Sequence, residues 1–195
     1  LGWFILCLTD AATSEISSFT YTPPFRATVG GCTESGGADA GVSGANVAGL
    51  VGLSGGDLTT TGAITATGGA DNGSNAQGGS GGVVTLTATD GSPLITLGAG
   101  IDTSGGAGNS VGAGGNVTVN DITTLSAGVA ITTGSGAGNI TFTSAATING
   151  AQALTLTSGT GTIDLNAVVG GSTALALVTL SGQTIDIDGN LTALR

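Results

Sequence analysis

The sequence predicts an all-β fold: a parallel β-solenoid with three short strands in each coil of about 23 residues. Three observations carry that prediction. Strand-forming residues dominate and are punctuated by glycine. A stretch of the chain repeats itself without a gap. Finally, the repeat changes length at one fixed place only.

Glycine occurs 39 times in 195 residues, a share close to that of aperiodic disordered chains. Disorder also requires low hydrophobicity and many charges. Here the mean hydropathy is +0.44 and only 7% of residues are charged, so a folded chain rich in Thr, Val, Ile and Leu is expected. Its length suffices for one domain with a buried core. The net charge is −10, Arg26 and Arg195 are the only basic residues, and histidine is absent. That balance excludes a basic footprint for nucleic acid and disfavours anionic membrane surfaces.

From the N-terminus, "LGWFILCL" is too short to span a bilayer and reads as a buried strand. It could instead be the tail of a signal-peptide apolar region, although no basic residue precedes it. The absence of an initiator Met marks a mature form or a fragment. Residues 1–40 hold five of the six aromatic residues, Arg26 and both cysteines. They are expected to form a distinct non-repeat module, a cap or docking segment. Cys7 and Cys32 are expected to pair in one disulfide, the alternative being two unrelated buried thiols.

Residues 41–195 carry the repeats. "VAITTGSGAGNITFTSAATINGA" (129–151) lies over "QALTLTSGTGTIDLNAVVGGSTA" (152–174) without a gap. Ile131, Leu154 and Leu177 mark one phase; Ile140, Ile163 and Ile185 mark a second. Upstream, Ile64 and Ile101 begin earlier units, with Val84 and Val117 on their second strands. A third strand position is filled by Leu58, Ile95, Leu125 and Ile148. From first to second strand the spacing runs 20, 16, 9 and 9 residues. Nearly all length variation thus falls at one corner, where inserts are expected to project into solvent. A β-sandwich, the alternative, would not hold one phase for so long. Alternation assigns Val84/Leu86, Val117/Val119, Ile140/Phe142, Ile163/Leu165 and Ile185/Ile187 to the interior.

"GGNVTVND", "GNITFTS" and "GTGTIDLN" resemble the repeats of filamentous-haemagglutinin-type bacterial surface proteins. The resemblance covers roughly residues 55–195 and is one of repeat style. It implies a right-handed parallel β-helix, secretion to the extracellular space or cell surface, and a role as adhesin or fibre-forming protein.

Catalytic constellations are sparse, and no enzyme is expected. Without His or Lys there is no Ser-His or Cys-His pair and no Lys nucleophile. The repeat register stacks Asp164 beneath Asp186, with Asp188 one outward position along. Three readings stay open for this rank: a solvated acidic face, a calcium site of carboxylate oxygens, and a glycosidase pair. Calcium is the one cofactor the sequence suggests. Thr85, Thr87, Thr118, Thr141 and Thr143 form a partial threonine array of the kind that could bind ice, interrupted by Asn120. Asn72, Asn116, Asn139 and Asn190 head Asn-x-Ser/Thr triplets, expected by chance in so Thr-rich a chain.

A solenoid needs its ends covered. "NLTALR" ends the last coil without a charged or proline-rich cap, while Trp3, Phe4, Ile5 and Leu6 offer an apolar segment. Docking of these residues on Leu191 and Leu194 of a neighbouring copy would build a head-to-tail filament. The same segment could instead cap its own solenoid, or the repeats could continue in sequence beyond Arg195. The expected function is therefore a secreted structural protein of an extracellular filament or surface layer. The alternative is an adhesin segment that binds a glycan or host surface through its corner loops. The partners are other copies of the chain or such a surface ligand, without membrane insertion.

Overall fold

A computed structural model describes residues 51–71, 77–89 and 94–194, together with the backbone of five short strands before them. Every element is a β-strand, and the strands climb in coils. The first coil holds β1 (Phe4–Ile5), β2 (Thr9–Asp10) and β3 (Phe19–Thr20). The second holds β4 (Ala27–Val29), β5 (Cys32–Ser35) and β6 (Val51–Gly55). Then follow β7 (Leu58–Thr60), β8 (Ile64–Thr67) and β9 (Val84–Ala88); β10 (Ile95–Leu97), β11 (Ile101–Asp102) and β12 (Val117–Val119). The next two coils are β13 (Thr123–Leu125), β14 (Val129–Thr132) and β15 (Ile140–Phe142); β16 (Ile148–Asn149), β17 (Ala153–Thr157) and β18 (Thr162–Leu165). The last contributes β19 (Leu177–Ser181) and β20 (Thr184–Ile187).

Each strand pairs in parallel with its counterparts one coil below and above, giving sheets of six, seven and seven strands. Val169 and Leu191 extend the first sheet by isolated parallel bridges to Ile148 and to each other. The fold is therefore the parallel β-solenoid that the sequence predicts. At one strand spacing per coil, seven coils rise roughly 34 Å.

The strands of residues 1–40 occupy the same three columns as the repeats. Phe4 pairs with Ala27, Thr9 with Thr33 and Phe19 with Leu53. Cys32 shares a register position with Ile64. Cys7, and with it the expected disulfide, lies outside the described residues.

Alternation of apolar and polar residues produces the core. In the third sheet Val84, Val117, Ile140 and Ile163 form one inward column, and Leu86, Val119, Phe142 and Leu165 a second; all are fully buried. Two other columns depart from the expected phase. Ile131 pairs with Leu156 rather than Leu154, and Leu154 pairs with Val178 rather than Leu177. Leu125 pairs with Leu97, two places from the expected Ile95. The slips of two, at Ile131 and Leu125, keep the same face inward, so aliphatic burial does not resist them. The slip of one at Leu154 turns Leu177 to the outer face, where it is 44% exposed.

The described parts of the corner inserts are bonded to one another. Gly79 donates to Gly69 O within the insert of the β8–β9 corner. Gly68, Gly78 and Gly81 donate across to Ser104, Ser110 and Ala113 in the insert of the next coil, at 2.8–3.0 Å. The described parts of the two inserts are thus tied into one slab by main-chain hydrogen bonds. Its glycines are required by contact: a Cβ on Gly106 would lie 1.8 Å from Gly69 O, and one on Gly81 1.9 Å from Thr103 O. A side chain at either position would push the slab apart.

Candidate functional site: the last coil and its acidic rank

The last coil shows what a coil looks like with one side uncovered. Ile185 and Ile187 pair with Ile163 and Leu165, which are completely buried. The upper pair, at the same inward positions, is 44% and 39% exposed. Leu191, bridged to buried Val169, is 39% exposed, and Leu194 72%. Val178 and Leu180 pack only partly against the core. The inward pattern therefore continues to the last coil, but its upper apolar surface and the outer edges of β19 and β20 are open among the described residues.

Of the residues expected to dock there, Leu191 lies on this surface, and Leu194 follows the core-packed Ala193 in the same coil. Phe4 and Ile5 form β1 at the opposite end of the stack; Trp3 and Leu6 lie outside the described residues.

The acidic rank borders the same coil. Asp164 and Asp186 are register partners on the outward face, in the column that Thr85, Thr118 and Thr141 fill in the earlier coils. The Asp188 N–H donates to Leu165 O at 3.0 Å, which continues the stack past the strand end. Two like charges one strand spacing apart repel. Among the described residues no three His, Cys, Asp or Glu side chains gather to hold a metal ion. The structure thus brings together Asp164 and Asp186 of the three residues named for calcium.

The threonine array divides into two kinds. Thr85, Thr118 and Thr141 stand in one register column. In the neighbouring column Asn120 Nδ2 donates to Thr87 Oγ1 at 2.9 Å, and Thr143 Oγ1 donates to Asn120 O at 3.1 Å. The second rank is engaged internally, which leaves no two-dimensional lattice of free hydroxyls on this sheet.

Two of the Asn-x-Thr asparagines serve the stack itself. Asn116 Oδ1 accepts the Asn139 N–H, and Asn139 Oδ1 accepts the Thr162 N–H, both at 2.9 Å. A further ladder at the neighbouring corner escaped sequence reasoning. Thr103, Thr133 and Ser158 are fully buried, and their hydroxyls donate to Gly115 O, Gly138 O and Gly161 O at 2.7–3.1 Å. Each closes the base of a corner loop. The signal was present as a Thr or Ser recurring just before the glycines of every corner.

Comparison with known proteins gives no matching family model, curated protein or solved structure.

Proposed function

We propose that this chain is a structural protein whose solenoids stack end on end into an extracellular filament or surface layer. The observation that carries this reading is the last coil: aliphatic residues held at core positions, with a register already set for another coil, and none of the described residues covering them. A second copy presents a stack of parallel strands in the same three columns, so the backbone of its first coil offers strand edges in matching positions. Because opposite ends meet, the contact is heterologous and propagates rather than closing. The likeness of "GNITFTS" and "GTGTIDLN" to surface-protein repeats supports secretion. So does the scarcity of charged side chains outside the acidic rank. A sequence without His or Lys suits a structural role better than a catalytic one.

Electron microscopy of the purified chain tests the proposal. Filaments one solenoid wide, appearing above a threshold concentration, are expected. A chain that stays monomeric by sedimentation at every concentration, with no fibres, would overturn it.

A further inference from the structure

Asn149 ends β16 and is followed by Gly150 at the turn, and both are half-buried. Gly150 sits at φ +117°, and a Cβ there would lie 2.5 Å from Leu125 O, so the turn admits only glycine. The glycine of this Asn-Gly pair is therefore imposed by the fold. The Asn149 Oδ1 accepts two main-chain N–H groups from the coil above, Ser172 at 2.9 Å and Thr173 at 3.1 Å. Among the described residues, the Gly150 N–H donates to no backbone carbonyl.

We propose that Asn149 is a site of spontaneous deamidation, promoted by the coil above it. The Gly150 nitrogen attacks Asn149 Cγ; the N–Cγ bond forms, and the Cγ–Nδ2 bond breaks. The Gly150 amide proton passes through water to the departing nitrogen, which leaves as ammonia. The resulting succinimide is opened by water to aspartate or isoaspartate. Glycine presents the least hindered nucleophile, and its N–H is not tied into a ladder. The two N–H donors already bond the oxygen on which negative charge develops during attack. They then hold the product: the aspartate carboxylate formed at this position accepts the same two bonds with charge assistance.

The other ladder asparagines lack this combination. Asn116 and Asn139 each offer Oδ1 to a single N–H. Their following residues, Val117 and Ile140, are β-branched and lie within strands, and the Val117 N–H is held by Asn139 O at 2.8 Å.

Peptide mapping by mass spectrometry, after incubation of the chain at neutral pH, tests this. The folded chain is expected to convert at Asn149 about tenfold or more faster than the same chain in denaturant. That is less than the hundredfold or larger effect of a fully preorganised donor. Asn116 and Asn139 should stay unchanged. Conversion no faster when folded than when denatured would overturn the proposal. The variant Asn149→Asp checks product retention separately. It should melt no lower than the parent, and a lower melting temperature would overturn retention of the product.

Discussion

Replacing Ile185 by Asp separates stacking of copies from stability of the coil. Ile185, Ile187, Leu191 and Leu194 together expose the equivalent of about two aliphatic side chains. Burying that surface against another coil contributes about 3–6 kcal/mol. Association costs about 4–15 kcal/mol, so backbone pairing along the open edges of β19 and β20 must supply the surplus. The margin is narrow, and one charge destroys it. Ile185→Asp forfeits about 1 kcal/mol of burial and adds at least about 2 kcal/mol for a carboxylate pressed into an apolar contact. At about 1.4 kcal/mol per decade, the threshold for assembly should rise roughly a hundredfold or more. The monomer should keep its fold, because Ile185 is covered from below only. Sedimentation velocity gives the threshold, and far-ultraviolet circular dichroism monitors the fold. Thr118→Asp, on an outward rank in mid-stack, is the control and should assemble like the parent. Assembly of Ile185→Asp at the parent's threshold would refute the reasoning.

Other perturbations test the interior. Phe142→Ala removes the largest fully buried side chain, between Val119 and Leu165, and should cost about 3–5 kcal/mol in chemical denaturation. Gly106→Ala places a methyl into Gly69 of the coil below and should cost about 1–3 kcal/mol, with the strand signal of the coils preserved. Asp186→Asn relieves the repulsion with Asp164 and should stabilise by about 0.5 kcal/mol at low salt, less at high salt. A calcium-dependent rise in the parent's melting temperature that this variant lacks would show instead that a cation bridges the pair.

The columns most legible from sequence were those with rigid spacing. Val117, Ile140, Ile163 and Ile185 fall in the register their intervals suggest, because the corner before them varies in length while their strands do not. The second sheet was harder. In "ALTLT" every second residue is aliphatic, so Leu154 and Leu156 are equally good candidates for one position. Only the backbone path chooses between them. The packing of the corner inserts is hidden in the sequence for a different reason. Glycine is read as freedom, whereas at Gly68, Gly81 and Gly106 it serves close approach between backbones. Of the site, the stacked Asp164 and Asp186 and the uncovered last coil were legible from periodicity. The buried hydroxyls of Thr103, Thr133 and Ser158 were not, since a hydroxyl beside glycines looks like solvent-facing loop.

The glycine slab also bears on how a filament of these chains would look. Long connections at this corner fall in the second, third and fourth coils, while the corners after β14 and β17 are short. Each subunit would therefore carry a single flank ridge off its midpoint, toward its first coils, giving the fibre polarity visible along its side. Ridges would recur once per subunit, at roughly 34 Å if seven coils separate them, over the finer repeat of the strands. Diffraction from aligned fibres would show both spacings, and the coarser one would count the coils in each subunit.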